Sequence, residues 1–250
     1  MFGQAIGKSW FFSSSVHTEA VSRLLYVAEQ GEPFVFLQGE HGCGKSTLLK
    51  QVQAECSRFG HSTVLINLAA LDQAAFLWHL CGGLSIVPRA EQSQTELMSA
   101  VRDELVGRSL CNHRTVILLD DFARAAECVA PIIDFLAAIN QQTDGAVSVI
   151  AAAEYVASPE LQRLSALKVR LRRLTDADSS AFAVEFLQFL SVSPEAVAGD
   201  AVDTIVEMAE GSPAHLTRLC QLISVAVEAT QNLVIDAEVL AVLTEETLVA

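Results

Sequence analysis

Gly39-Glu40-His41-Gly42-Cys43-Gly44-Lys45-Ser46-Thr47 decides how this chain is read. The stretch matches G-x-x-x-x-G-K-[S/T] in full, and its flanks have the order that the pattern needs to carry chemistry. Before it, the turn signal Gly31-Glu-Pro33 leads into the apolar run Phe34 to Leu37, which reads as a buried strand. After it, Ser46 to Phe59 has helical spacing, with Leu48, Leu49, Val52 and Cys56 on one side. Strand, glycine-rich loop and helix therefore follow one another. Gly42 and Gly44 let the backbone curl so that successive N–H groups face phosphate oxygens at the positive end of the next helix. In this reading Gly39, Glu40, His41, Gly42, Cys43 and Gly44 form the phosphate cradle. Lys45 reaches the β- and γ-phosphates, Ser46 gives its hydroxyl to Mg²⁺, and Thr47 helps to hold the nearer phosphates.

A second element supports the first. Thr115-Val-Ile-Leu-Leu-Asp120-Asp121 is an apolar strand ending in two carboxylates. Alone, such an ending is ordinary strand-to-loop chemistry. Paired with the glycine-rich loop it becomes a metal site, with Asp120 ordering the Mg²⁺ shell and Asp121 placed to polarise an attacking water.

Further strands are expected at Thr63–Asn67, Ala146–Ala152 and Lys168–Leu171, and helices at Leu71–Cys81, Thr95–Val106, Cys128–Asn140 and Pro159–Leu167. Pro131 is tolerable only near the first turn of its helix. This alternation predicts an α/β fold with a mostly parallel sheet of five strands, covered on both faces. From Asp176 onward only helical periodicity is visible, at Ser179–Phe189, Ala201–Glu210, Pro213–Thr230 and Ala237–Thr244. The expected organisation is a core at 1–174 and a small all-α domain at 175–250.

Composition narrows the function. The 250 residues carry 16 Lys and Arg against 30 Asp and Glu, a net charge of −14. Sixteen diluted cations leave little for a basic face, which argues against a generic nucleic-acid binder. With 51% hydrophobic residues and a mean hydropathy of +0.37, there is material for a large core. The apolar runs fall short of the roughly 20 residues of a spanning helix, and the first ten residues do not read as a secretory signal. The expectation is a cytoplasmic protein without direct membrane insertion. Six scattered cysteines and six histidines form neither a C-x-x-C pair nor an H-E-x-x-H motif.

With these motifs in place, the chain resembles an AAA+ type P-loop ATPase, in particular the general secretion pathway A (ExeA-like) ATPase family. The resemblance rests on Trp10-Phe-Phe12, His17-Thr-Glu-Ala20, Arg23-Leu-Leu-Tyr26, Gly39 to Leu49 and Leu118 to Asp121. It resumes in Ser158 to Leu164, Val169 to Leu174 and Gly211 to Cys220. It implies an αβα core followed by a helical lid, with ATP and Mg²⁺ between them. Phe12 and His17 would flank the adenine. Arg163 falls where such ATPases place an arginine finger, although a solvated arginine paired with Glu160 reads equally well. Arg170, Arg172 and Arg173 read first as strand-edge surface, with a contact to nucleotide or partner as the alternative.

Three positions depart from the family pattern. Asp121 stands where glutamate is usual, so the base is one methylene shorter and hydrolysis is expected to be slow. The fourth strand ends in Ala151-Ala-Ala-Glu154, with Glu154 the nearest candidate for a polar sensor. The lid reads Gly211-Ser-Pro-Ala214 where an arginine is expected after the proline; Arg218, one turn on, is the candidate to sense γ-phosphate. The implied activity is ATP hydrolysis that drives conformational or assembly change in a protein complex, with self-association under nucleotide and an unknown protein partner. The alternatives are a nucleotide-gated switch with little turnover and a transposition-type regulator on DNA, which the charge disfavours.

Overall fold

The computed structural model describes residues 10–155, 165, 167–230 and 234–248. The described residues divide into two compact units, one within His17–Gly39 and Lys45–Leu171, the other made of residues 10–16, Glu40–Gly44 and the described residues from Arg172 onward.

The first unit is built on β1 (Phe34–Gly39), β2 (Ser62–Asn67), β3 (Thr115–Asp120), β4 (Val147–Ala153) and β5 (Leu167–Leu171). They form one sheet in the order β2-β3-β4-β1-β5, and every pairing is parallel. Burial follows position in the sheet. β3 and β4 are buried along their whole length, as is β1 up to Leu37, and these read as continuous apolar runs. The edge strands β2 and β5 carry half-buried or exposed residues between buried ones, and Lys168 and Arg170 stand exposed on β5, where charge discourages edge-to-edge pairing.

The helices of this unit are α1 (Ser15–Gln30), α2 (Lys45–Arg58), α3 (Gln73–Gly83), α4 (Gln94–Leu110) and α5 (Phe122–Gln142). The sequence signals at their starts are used: Asp72 caps α3, and Ser93 with Glu96 forms a reciprocal capping box on α4. α1 was not anticipated as a helix; its buried side, with His17, Ala20, Val21, Leu24, Val27 and Ala28, has helical spacing. α5 corrects an expectation. It begins at Phe122, so Pro131 lies well inside the helix and deprives the residue 127 carbonyl of its N–H partner. An interior proline costs about 3 kcal/mol. Burial of Val129, Ile132, Ile133, Leu136 and Ile139, each worth roughly 1.5–3 kcal/mol, outweighs it.

The second unit packs α6 (Asp176–Phe189), α7 (Gly199–Ala209), α8 (Pro213–Ala229) and α9 (Ala237–Leu248) around Phe182, Phe186, Ile205, Leu216, Ile223 and Leu240. One short parallel bridge, Val197 to Ile235, is the strand-like pairing described here. Thr175 caps α6, and Ser212 caps α8 with Pro213 in the first turn, where its missing N–H costs nothing. Trp10 and Phe12 belong to this unit because their rings meet Phe182 at 4.9 and 5.3 Å between centroids. The helix expected at Pro159–Leu167 falls largely outside the described residues.

Candidate functional site

In an open parallel sheet, ligands collect beyond the carboxyl ends of the strands. Gly39 ends β1, Asp120 ends β3 and Asn67 ends β2, paired in register with Asp120. Lys45 is the first residue of α2, followed by the exposed Ser46 and Thr47, so the cation and two hydroxyls occupy the positive end of a 14-residue helix. Lys45 Nζ donates to the Gly39 carbonyl at 2.8 Å, which directs the side chain back along the loop.

The two aspartates differ sharply. Asp120 is 9% exposed, and its Oδ1 accepts the Asp121 N–H at 3.0 Å. Asp121 is exposed, caps α5 without a side-chain bond to that helix, and has φ +53° and ψ +36°. Aspartate tolerates this left-handed backbone better than most residues. Its Oδ2 accepts from Asn67 Nδ2 at 3.3 Å. Asn67 went unnoticed in the sequence, since a polar residue closing a short strand gives no signal until β2 is known to lie beside β3.

Between Gly39 and Lys45 the loop Glu40–Gly44 is part of the helical unit. Gly42 and Gly44 have φ +76° and +96°, and Cys43 is buried between them. The Gly42 carbonyl accepts the Ala214 N–H at 3.1 Å and lies 3.4 Å from Ser212 Oγ, which donates to it. A Cβ at Gly42 would stand 2.8 Å from Ser212 Oγ, so glycine is required by both conformation and space. Ala214, the residue after Pro213, is thus in contact with the loop, as is Ser212. Arg218 lies one turn further along α8, exposed, at a groove of about 380 Å³ with Met208, His215, Leu222, Val225 and Thr244.

Arg173 makes the connection the sequence left open among the three arginines. Its Nε donates to Glu40 Oε2 at 2.7 Å, and its Nη1 donates to the Glu210 carbonyl at 3.0 Å and to Glu210 Oε2 at 3.3 Å. Glu40, and then Glu210, raise the guanidinium's already high pKa. His41 is exposed, and His17 is buried in α1. Phe12 shares its ring contacts with Trp10 and Phe182. Glu154 is exposed just past β4. Arg163 lies outside the described residues.

The donor set fits the chemistry expected of it. A helix start bearing lysine and hydroxyls and a buried carboxylate at the next-but-one strand tip suit a polyphosphate with Mg²⁺. Ser46 and Asp120 alone do not fill a magnesium shell, which needs about six oxygens, so phosphate and water oxygens would complete it. Among the described residues, no group of three or more His, Cys, Asp and Glu is placed to hold a metal by itself.

Fold and donor set define a P-loop NTPase-like protein with a helical domain after the sheet. Residues 28–157 match the family model described as AAA domain, and the chain belongs to that family. It is 23% identical over 155 residues to General secretion pathway protein A of Aeromonas hydrophila, a match spanning 62% of this chain and 27% of that protein. Among solved structures, the Aeropyrum pernix ORC2 protein, described in ADPNP-ADP complexes, superposes with a TM-score of 0.69 at 13% identity, over 92% of this chain and 66% of that one. Domain III of the Thermotoga maritima replication initiation protein DnaA gives 0.66 at 16% identity, over 94% of both. The chain therefore spans about a quarter of the curated relative and nearly all of the DnaA domain. Among the described residues, no helix is long and apolar enough to cross a membrane.

Proposed function

We propose that this chain is an ATP- and Mg²⁺-dependent ATPase whose nucleotide state drives conformational or assembly change in a protein complex. The observation that carries the reading is that Lys45 and Ser46 start α2 while β3 of the same unit ends in Asp120, with Asp121 next in the chain. Lys45 and the loop amides neutralise phosphate charge, Ser46 and Asp120 hold Mg²⁺, and Asp121 positions water. When bound, Mg²⁺ would draw charge off the phosphate oxygens. Arg163 and Arg218 are the cations proposed to respond to γ-phosphate.

Binding of a fluorescent ATP analogue, phosphate release and size in solution, measured on the parent and on Lys45→Ala, test the reading. The expected result is nucleotide-dependent self-association with slow release in the parent, and loss of both in the variant. Equal binding by Lys45→Ala would overturn the site.

A second reading keeps the binding and drops the turnover. It is favoured by Ala214, which leaves the loop-contacting turn of α8 without a cation, and by the shorter acid at position 121. Phosphate release no higher than that of Lys45→Ala, with the size change retained, would select it. The net charge of −14 weighs against an assembly on DNA, although the name of one structural neighbour concerns replication initiation. It favours a protein as the partner.

A further inference from the structure

Glu40 is the one acid in the nine-residue phosphate loop, in a segment that in the proposed function gathers the negative charge of ATP. We propose that Arg173 is a positioning residue for nucleotide binding, one that holds and neutralises the Glu40 carboxylate so that it does not oppose the incoming phosphates. The proposal rests on the ATP-binding reading above.

Three features fix the arginine for this task. Its backbone is clamped: the Leu174 N–H donates to the Gly211 carbonyl at 2.9 Å, and a Cβ on Gly211 would stand 2.3 Å from the Leu174 carbonyl oxygen. The two segments therefore run too close for any side chain at position 211, and Gly211 has φ +71°. Its guanidinium is divided between two jobs, with Nε on Glu40 and Nη1 on the Glu210 carbonyl and carboxylate. The planar fork supports that division, which a lysine ammonium does not reproduce. The same loop is held at a second point, where Gly42 accepts from Ala214 and Ser212, so Glu40 and Gly42 are both tied to the chain around the start of α8.

The acid and the arginine are partly exposed, at 68% and 43% of their side-chain surfaces, so the effect is moderate and sensitive to salt. Coupling of an exposed pair of this kind corresponds to about a two- to fivefold change in affinity.

The test measures the dissociation constant of a fluorescent ATP analogue for the parent, Arg173→Ala, Glu40→Gln, the double variant and Lys45→Ala, at about 0.05 M and about 0.5 M KCl. Circular dichroism melts confirm that each is folded. Arg173→Ala is expected to bind about two- to fivefold more weakly at low salt, with the gap closing at high salt. Glu40→Gln should bind at least as tightly as the parent, and adding it to Arg173→Ala should restore affinity. Unchanged binding in Arg173→Ala, or a loss that ignores salt and survives Glu40→Gln, would overturn the proposal while leaving the ATP site intact. If Lys45→Ala binds as well as the parent, or the parent does not bind, the ATP reading itself falls and this proposal with it. Should Arg173→Ala not fold, Glu40→Gln decides alone: weaker binding than the parent would overturn the proposal.

Discussion

Asn67 and Asp121 meet across the tips of two adjacent strands, Nδ2 donating to Oδ2 at 3.3 Å. The contact is possible because β2 and β3 pair in register up to Asn67 and Asp120, and because the left-handed backbone of Asp121 sets its carboxylate apart from the buried one of Asp120. Asp121→Asn keeps a residue that tolerates positive φ and removes only the charge. It is expected to retain ATP binding and to lower phosphate release about 10²-fold or to background. Asn67→Ala leaves the proposed base but not its orientation, and an intermediate loss of about tenfold in kcat with little change in KM is expected. Steady-state kinetics on both variants checks this, and full activity of Asp121→Asn would remove it from the mechanism.

Ala214 offers a gain rather than a loss. Its N–H bonds the Gly42 carbonyl, and its side chain is exposed. Ala214→Arg would place a cation on the turn of α8 that touches the loop, and an affinity gain of about threefold to tenfold for ATP is expected, since charge-assisted hydrogen bonds are worth about 1.5–3 kcal/mol before screening. Calorimetric titration with ADP alongside ATP would show whether the gain is selective for γ-phosphate. Equal affinity to the parent for both would exclude a phosphate contact from this position.

Stability of the sheet unit hangs on a buried amide. Asn140 in α5 is 4% exposed, and its Nδ2 donates to the carbonyls of Gly31 at 2.8 Å and Val147 at 2.6 Å. The same place brings the backbones of Gly31 and Gly145 together, so that a Cβ on Gly31 would stand 2.7 Å from Gly145 Cα. Asn140→Ala strands those carbonyls and is expected to cost about 1–3 kcal/mol in urea unfolding. Gly31→Ala should cost at least as much, through its positive φ and the clash.

Alkaline pH should weaken the fold through two buried thiols. Burial, with Glu29 and Glu55 nearby, raises Cys56 to about 11, and burial alone raises Cys220 to about 12. Both folded values lie above the ordinary value of 9.0, so the unfolded chain loses these protons first. The stabilisation is whole below pH 9.0 and declines as pH rises toward the folded values. Unfolding midpoints measured from pH 7 to 10.5 should fall above 9.0, less so in Cys220→Ala. At pH 8 a thiol reagent should modify the exposed Cys111 and Cys128 quickly and the four buried cysteines slowly.

The sheet and the glycine-rich loop are legible because they depend on local pattern: apolar runs for strands, glycines at fixed spacing, and Lys45-Ser46 at a helix start. The helix around Pro131 is longer than local pattern predicts, because a breaking residue acts locally while the apolar stripe that overrides it is a tertiary matter. Asn67, Asn140 and Arg173 were out of reach for another reason. Each acts through a partner more than 50 positions away, Asp121, Gly31 and Glu40 respectively, and one chain read in order does not show which strand tips become neighbours. The lead-in illustrates the same limit, since the ring contacts of Phe12 with Trp10 and Phe182 join positions with no local pattern in common.

The aromatic packing of Trp10 also makes the protein its own spectroscopic reporter. The chain has two tryptophans, and the division into units assigns one to each. Trp10 stands edge-on to Phe182 with its centroid 4.7 Å from that of Phe186, whereas Trp78 on α3 is 41% exposed. Their emission should differ in wavelength and quenching, Trp10 blue and shielded, Trp78 red and accessible. A Trp78→Phe chain then reports melting of the helical unit alone, and Trp10→Phe that of the sheet unit, so the two units can be followed separately without an added label.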